Sequence, residues 1–390
     1  MSRTSPGPPT MVCCQRAPPL EAVTGRCMSV RKLVFVVPGD LGSLTGGYGY
    51  DRQIVAGLSA AGRAVDVVAL DAGFPWPDAA TLDRAAQQMA AIPDGALVVV
   101  DGLAFGALPG LAEQHAARLR WVALVHHPLA LETGLTPGQG RALFDSERRA
   151  LVTARGVIVT SAATARELTR YGVAAEWVHV VTPGTDPAPL AAGSGMESAS
   201  RGLSFLCVAS LVPRKGHAVL IDALSGLRNR AWTLHCVGST TRDPDTANAL
   251  HTAIAEHGLG ERVRLHGEVS ASVLQAMYGQ ADAVVLPSFF EGYGMALAEA
   301  LAHGLPVVST TAGAIPDTVP RDAGVLVPPG DAMALCAALA ALLDEPVLRA
   351  RLAAGARAAR SVLPTWPQAV ARFAAALESL DMEREPGAVQ

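Results

Sequence analysis

The amino-acid sequence predicts an α/β protein built from two similar domains. Short apolar segments alternate with helical segments along most of the 390 residues, and one stretch rich in proline, glycine, alanine and serine interrupts the alternation near the middle. Strands that are apolar on both faces are typical of parallel sheets covered by helices on both sides. The chain is long enough for two such domains. We therefore expect two Rossmann-like domains that face each other across a cleft.

The composition excludes several classes of protein. Half of the residues are hydrophobic and 17% are charged, so the bulk of the chain is not disordered. The net charge of −4 argues against nucleic acid as a partner. Apolar runs such as 333–343 are too short to span a bilayer, and the N-terminus has no apolar signal segment. We expect a cytoplasmic protein with at most peripheral contact with the inner face of a membrane.

The alternation also predicts the domain boundaries. Residues 1–29 lack periodicity and contain five prolines, so we expect a disordered extension there, with Met28 as an alternative start. The N-terminal domain is expected over 30–185 and a linker over 186–202. The predicted strands of the N-terminal domain are 33–37, 64–70, 96–102, 121–127, 156–161 and 177–183.

The C-terminal domain is expected over 203–365, followed by an amphipathic helix over 366–383 with a proline in its first turn. The predicted strands of this domain are 203–210, 232–239, 262–269, 281–288, 305–310 and 324–330.

The six cysteines do not form a recognisable framework. Cys207, Cys236 and Cys336 lie in apolar segments, where a free cysteine behaves as a small hydrophobic residue. Neither a CxxC pair nor a Cys/His spacing typical of zinc ligands occurs. The spacing therefore predicts neither disulfides nor a structural zinc site.

The segment 287–319 carries the densest pattern of functional residue types. A strand ends at Pro287, a loop carries Glu291, Gly292, Tyr293 and Gly294, and a helix follows. The amides from Gly292 to Met295 would be free donors at the positive end of that helix, which is a ready anion site. Glu299 stands eight residues after Glu291; on a helix this separation suits two hydroxyl-rich groups of one long ligand.

This segment resembles the E-x7-E region of the family 4 retaining glycosyltransferases, glycosyltransferase group 1, and the resemblance extends from Arg31 to about residue 383. It implies the GT-B fold, with the acceptor on the N-terminal domain, the nucleotide sugar mainly on the C-terminal one, and a last helix that returns to the first domain. It also implies that Glu291 contacts the hydroxyls of the donor sugar and that Glu299 binds the ribose hydroxyls of the nucleotide.

A second segment, VASLVPRKGHAVLIDAL (208–224), resembles the part of the family that neutralises the donor diphosphate. Lys215 matches the lysine of that motif. Ala209 and Ser210 stand where the family often has Gly-Arg, so Arg214 is the candidate for the second charge, and loss of that arginine could weaken diphosphate binding. Gly238, at the end of a strand, is expected beside the donor.

Two features of the N-terminal domain complete the site that the resemblance implies. The segment 39–49 is expected to form one glycine-rich loop after the first strand, and its Gly46 and Gly47 resemble the Gly-Gly loop that approaches the donor phosphates. A histidine at the end of the strand 121–125 is common in the family near the transferred sugar, and we favour His126 over His127.

The resemblance thus implies a retaining, hexosyltransferase-type enzyme. It would move a sugar from a nucleoside diphosphate, UDP rather than GDP, to a hydroxyl of a glycan, lipid or small metabolite. The predicted catalytic residues are His126, Lys215 and Glu291. We expect no cofactor and no metal, because the Asp243-Pro-Asp245 pair is typical of a turn. In the segment 141–155, Asp145 and Glu147 are expected to pair with arginines on a solvated helix.

Several other functions stay open at this point. A nucleotide-sugar epimerase or hydrolase of the same fold is the main alternative, and a non-catalytic sugar-nucleotide-binding protein is another. A nicotinamide-dependent oxidoreductase would use the glycines of 39–49 and Asp71. A phosphorylase with lysine-bound pyridoxal phosphate is disfavoured because Lys32 and Lys215 are the only lysines.

Overall fold

Two six-stranded parallel sheets, each covered by helices, form the fold in a computed structural model that describes residues 1, 32–195 and 202–382. The strands of the first sheet are β1 (Leu33–Pro38), β2 (Val65–Leu70), β3 (Leu97–Asp101), β4 (Arg120–Val125), β5 (Gly156–Val159) and β6 (Val178–Val180). Their spatial order is β2-β1-β3-β4-β5-β6. The predicted extension over 1–29 lies outside the described residues after Met1, and part of the predicted linker does too.

The second sheet repeats this arrangement. Its strands are β7 (Leu203–Val208), β8 (Trp232–Val237), β9 (Val263–Leu265), β10 (Ala283–Leu286), β11 (Val307–Thr310) and β12 (Gly324–Val327). Their order is β12-β11-β10-β7-β8-β9, and all the pairings are parallel. The expectation of two Rossmann-like α/β domains is confirmed.

Helices connect the strands and cover both faces of each sheet. Those of the first half are α1 (Gly46–Ala60), α2 (Ala79–Ala90), α3 (Gly102–Phe105), α4 (Pro109–His115), α5 (Pro137–Thr153) and α6 (Ala162–Leu168). Those of the second half are α7 (His217–Ser225), α8 (Pro244–Glu256), α9 (Ala271–Gln280), α10 (Met295–Ala302), α11 (Ile315–Thr318), α12 (Ala332–Asp344), α13 (Pro346–Ala359) and α14 (Trp366–Met382).

The last helix, α14, returns to the first sheet. Phe373 is fully buried, and its ring lies 6.4 Å from those of Phe35 on β1 and Tyr50 on α1. Gly57 of α1 lies directly against Val370, so the two helices pack closely. The predicted return of the C-terminal helix is therefore confirmed. Helix α14 packs with β1 and α1 in one apolar cluster.

Two local expectations are wrong. The glycine-rich segment 39–49 is not one loop, because Thr45 caps α1 with its side chain and the helix begins at Gly46. Glu147 on α5 is fully buried and does not pair with an arginine; its carboxylate accepts a hydrogen bond from the amide of Leu129 at 2.9 Å. Burial raises the pKa of Glu147 to about 8.

None of the helices in the described part of the chain combines the length and the apolar character required to cross a bilayer.

Candidate active site

A cavity of about 570 Å³ lies between the carboxyl ends of the two sheets. This is the location at which open α/β sheets bind their ligands. Every residue predicted for the site lines the cavity: Gly46, Gly47, His126, Arg214, Lys215, Gly238, Glu291, Gly292, Tyr293, Gly294, Met295 and Glu299. The structure thus brings together residues that lie up to 253 positions apart in the chain.

Lys215 and Glu291 form an ion pair on the C-terminal side of the cavity. Lys215 ends a short 3-10 turn after β7, and its Nζ donates to Glu291 Oε1 at 2.6 Å. Ser288 Oγ donates to the same oxygen, also at 2.6 Å. Burial alone would raise the pKa of Glu291, but Lys215 and Arg214 outweigh it and hold that pKa below its usual value. Burial lowers the pKa of Lys215, and Glu291 opposes this shift.

Arg214 joins the two halves of the cavity. Its guanidinium donates to the carbonyl of Phe290 at 2.9 Å and to Glu132, on the N-terminal side, at 3.2 Å. Its Nη1 also lies 3.9 Å from Glu291 Oε2. Arg214 therefore adds positive charge next to Lys215, from the backbone position after Pro213 rather than from the position of Ser210.

The segment before α10 brings the two domains into contact. A Cβ on Gly292 would lie 1.9 Å from the carbonyl oxygen of His126, so no other residue fits there without displacing backbone. Gly294 caps α10 with a φ of 90°, and the helix begins at Met295. The first amides of α10 therefore open at the cavity, as the sequence predicts.

Glu299 lies in α10 on the wall of the cavity. Its Oε2 accepts a hydrogen bond from the Tyr278 hydroxyl at 2.8 Å, and burial raises its pKa. Glu291 lies in the loop before the helix, so helical geometry does not apply to the whole interval between the two glutamates. Glu299 is one turn, rather than two, from the beginning of the helix.

A second helix N-terminus faces the same space. A Cβ on Gly46 would lie 3.6 Å from the sulfur of Met295, and one on Gly47 would lie 3.4 Å from the ring of His126. The first turns of α1 and α10 therefore flank one region of the cavity from opposite domains. Both present the positive end of a helix dipole.

A buried group of two carboxylates and an imidazole lies on the N-terminal side, and the sequence analysis missed it. His126 Nε2 lies 3.0 Å from Asp51 Oδ1 and 3.6 Å from Asp101 Oδ2. Asp51 is fully buried in α1, and Asp101 ends β3 beside the strand that carries His126. Because neighbouring parallel strands end at the same edge of a sheet, the contact between Asp101 and His126 could have been predicted from the sequence. The contact between Asp51 and His126 could not.

The charges of Asp51, Asp101 and His126 shift the pKa values of their neighbours. Burial and the Asp51 carboxylate raise the pKa of Asp101 to about 7. Burial opposes protonation of His126, but Asp51 and Asp101 outweigh it and raise the pKa of the imidazole. The raised pKa values of Asp101 and His126 make these two side chains candidates to carry a proton near neutral pH at the wall of the cavity. Its donor atoms lie within 4.8 Å of one another and could also ligate a cation.

His127, the alternative to His126, also lines the cavity but lies in a different environment. Its ring packs 4.8 Å from that of Phe290. Burial, Arg214 and Lys215 hold its pKa well below the usual value, so His127 is neutral at physiological pH.

Other polar residues singled out in the sequence have local roles. Asp243 caps α8 by accepting a hydrogen bond from the amide of Thr246 at 2.9 Å, in agreement with a turn. Asp71, the acid that a nicotinamide enzyme would use, forms an ion pair with Arg84 and is not among the residues that line the cavity.

Comparison with known proteins agrees with this architecture. Residues 202–345 match the family model described as "Glycosyl transferases group 1", and residues 63–189 match the one described as "Glycosyltransferase Family 4". The chain is 29% identical over 322 residues to the MMP alpha-(1->4)-mannosyltransferase of Mycolicibacterium hassiacum, covering 79% of this chain and 76% of that one. It is 34% identical over 264 residues to a D-inositol 3-phosphate glycosyltransferase of Xylanimonas cellulosilytica, covering 62% of this chain and 63% of that one.

Solved structures share the fold at low sequence identity. Sucrose-phosphate synthase from Thermosynechococcus elongatus superposes with a TM-score of 0.76 at 22% identity, over 90% of this chain and 99% of that one. HepE from Anabaena, solved in complex with UDP and glucose, has a TM-score of 0.70 at 22% identity, over 90% of this chain and 100% of that one. With two matched family models and this double-domain fold, the chain belongs to the family 4, group 1 glycosyltransferases of the GT-B fold.

Proposed function

We propose that this glycosyltransferase is a retaining, metal-independent enzyme that transfers a hexosyl group from a UDP-sugar to an acceptor hydroxyl. One observation carries the proposal: Lys215, paired with Glu291, lines the same cavity as the first turns of α1 and α10. A cation and two helix N-termini around one space favour a diphosphate.

The leaving group determines what the site must supply. When the bond between the sugar C1 and the phosphate oxygen breaks, negative charge accumulates on the diphosphate. Lys215 and the amides of Gly292–Met295 would stabilise that charge in a preorganised way, with Arg214 adding to the local field. Glu291 accepts from the Lys215 ammonium in the free enzyme, and it would orient the sugar hydroxyls while that ammonium turns towards the phosphate.

The nucleotide would bind along α10. Glu299 offers carboxylate oxygens for the two ribose hydroxyls, since the Tyr278 hydroxyl bonds to one of them and leaves lone pairs available. Gly238, with a φ of 146°, allows a close backbone approach at the end of β8. UDP is favoured because the structurally similar HepE is solved with UDP and glucose.

The acceptor would bind on the N-terminal side, near the Asp51–Asp101–His126 cluster. Its hydroxyl oxygen would form the new bond to C1 on the face from which the diphosphate leaves, and its proton would pass to a phosphate oxygen of the leaving group. The names of the two relatives, a mannosyltransferase and an inositol 3-phosphate glycosyltransferase, support a polyhydroxylated acceptor.

Product analysis tests the proposal. The enzyme is incubated in EDTA with UDP-glucose, UDP-N-acetylglucosamine or GDP-mannose and a set of polyol acceptors, and the anomeric configuration of the product is read by NMR. We expect an α-linked product from an α-linked donor with EDTA present. An inverted product contradicts retention, and activity only after Mg²⁺ or Mn²⁺ addition contradicts metal independence. Release of free sugar or of an epimerised donor without acceptor transfer would favour the hydrolase or epimerase alternative.

A further inference from the structure

Two cysteines and a histidine meet inside the second domain, away from the wall of the cavity. Cys207 and Cys236 are direct register partners on the neighbouring parallel strands β7 and β8, so their side chains lie on the same face of the sheet. His217 is the first residue of α7, which follows β7 and covers that face. The spacings of 10 and 19 residues match no ligand motif, which is why the sequence did not predict a site here.

The geometry of the three donor atoms matches that of metal ligands. Cys207 Sγ lies 3.6 Å from His217 Nε2, and the two sulfurs and this nitrogen all lie within 4.8 Å of one another. Zinc–sulfur and zinc–nitrogen bonds of about 2.3 and 2.0 Å at a tetrahedral angle place sulfur and nitrogen roughly 3.5 Å apart. An ion would therefore fit between these atoms with only small side-chain movements.

The ligand types and their burial suit a thiophilic ion. All three residues are buried, with exposed fractions of 0%, 3% and 3% for Cys207, Cys236 and His217. Two cysteine sulfurs and an imidazole nitrogen in one buried cluster are the soft ligand set that selects Zn²⁺ and related ions.

We propose that Cys207, His217 and Cys236 form a binding site for one thiophilic metal ion of the Zn²⁺ type. Two thiolates balance the charge of a divalent ion, and the thiol protons that remain are released to solvent when the ion binds. The ion would join β7, β8 and the beginning of α7. Because His217 follows Lys215 by two residues, the ion would also hold the turn that presents Lys215 to the cavity.

The three residues lie behind the cavity and are not among those that line it, so metal binding and stability can be measured without a donor or an acceptor.

The test uses the full chain in a background in which Cys13, Cys14 and Cys27 are replaced by serine, since these N-terminal cysteines could bind metal themselves. The protein is refolded under reducing conditions with Co²⁺ as a spectroscopic probe, and then titrated with Zn²⁺. We expect one Co²⁺ per chain, a thiolate-to-cobalt charge-transfer band, loss of the band on addition of Zn²⁺, and a higher unfolding temperature with Zn²⁺ than with EDTA.

Three variants test whether Cys207, Cys236 and His217 are the residues that bind the ion. Cys207→Ser and Cys236→Ser should lose the charge-transfer band and the stabilisation by Zn²⁺, and His217→Ala should lose stoichiometric binding. Cys336→Ser is the matched control, because this half-buried cysteine on α12 is not part of the cluster, and it should bind as the background protein does.

Two results would overturn the proposal. One is a folded background protein that takes up no Co²⁺ or shows no thiolate band. The other is a Cys207→Ser variant that binds with unchanged stoichiometry and spectrum. Should the serine variants fail to fold, the first result still decides, because it is measured on the unmutated cluster.

Discussion

Two charged clusters face the cavity from opposite domains, and they differ in how their charges balance. On the C-terminal side, Lys215 and Arg214 surround Glu291 and the first turn of α10 adds further positive potential. On the N-terminal side, Asp51 and Asp101 share one imidazole, that of His126. One cluster is therefore suited to hold an anion, and the other to hold protons.

The difference agrees with the proposal that the donor and the acceptor bind on opposite sides of the cavity. In that proposal the diphosphate would lie beside the fixed positive charge of the C-terminal cluster. The acceptor hydroxyl would lie beside the N-terminal cluster, where the pKa of Asp101 is raised to about 7. The two sides touch at Gly292, which lies against the carbonyl of His126, and at the ion pair of Arg214 with Glu132.

Among the variants considered, replacement of Lys215 should change the activity most. Lys215→Ala takes away the fixed charge beside the leaving group, so we expect kcat to fall by about 10²–10³-fold. Binding of the free nucleoside should change far less, because a nucleoside lacks the diphosphate that the ammonium is proposed to contact. Steady-state kinetics and nucleoside titration measure both quantities.

Lys32→Ala is the matched control, since the other lysine of the chain forms an exposed ion pair with Asp66 outside the cavity. Its kcat should equal that of the unmutated enzyme. Equal losses of turnover and of nucleoside affinity in Lys215→Ala would contradict a role at the diphosphate.

Gly292→Ala should disturb the contact between the two clusters. The added methyl group would meet the carbonyl oxygen of His126, and overpacking of this kind costs about 1–3 kcal/mol. We expect a lower unfolding temperature and a higher KM for the donor. Gly279→Ala is the control, because a Cβ at that helical position meets no atom within 4 Å, and it should leave both quantities unchanged. A Gly292→Ala variant as stable and active as the parent would contradict the close approach.

Glu299→Ala should weaken nucleoside diphosphate binding by at least about tenfold, because one hydrogen bond to a charged group contributes about 1.5 kcal/mol or more. Tyr278→Phe is the control, because it removes the hydroxyl that bonds to Glu299 but keeps the carboxylate. Calorimetric titration of both variants separates the two contributions. If Glu299→Ala binds the nucleoside diphosphate with unchanged affinity, Glu299 does not bind the ribose hydroxyls.

The N-terminal cluster should make stability depend on pH. The folded-state pKa of Asp101 is about 7, above its unfolded value of about 4. The resulting stabilisation is complete below pH 4 and is lost as the pH rises through 7. Between pH 6 and 8 the free energy of unfolding should therefore fall by about 1 kcal/mol. The raised pKa of His126 acts in the same direction.

Asp101→Asn should flatten that dependence. The amide oxygen can still accept from the amide of Leu103, as Asp101 Oδ1 does at 2.7 Å, but the side chain no longer ionises. Denaturant unfolding at pH 6 and 8 measures the effect. The same slope in both proteins would show that Asp101 does not carry the proton.

The two clusters also differ in how far the sequence predicted them. Lys215, Glu291 and Glu299 lie in two short segments that resemble motifs of the family, so the sequence predicted that they share one site, and all three line the cavity. The alternating pattern predicted both sheets. Asp101 ends the strand next to the one that His126 follows, so their pairing could have been inferred. The contact of Asp51 with His126 has no local signal, because it depends on the packing of α1. The burial of Glu147 was also decided by tertiary contacts, whereas the start of α1 at Gly46 follows from the local cap by Thr45.

The most direct test of the account is calorimetric titration with UDP, GDP, ADP and NAD in the presence of EDTA. We predict that one nucleoside diphosphate, UDP, binds at a single site, that Lys215→Ala weakens this binding and that Lys32→Ala does not. If none of the diphosphates binds, or if NAD binds and Lys215→Ala leaves its affinity unchanged, the C-terminal cluster is not a diphosphate site and the central claim is wrong.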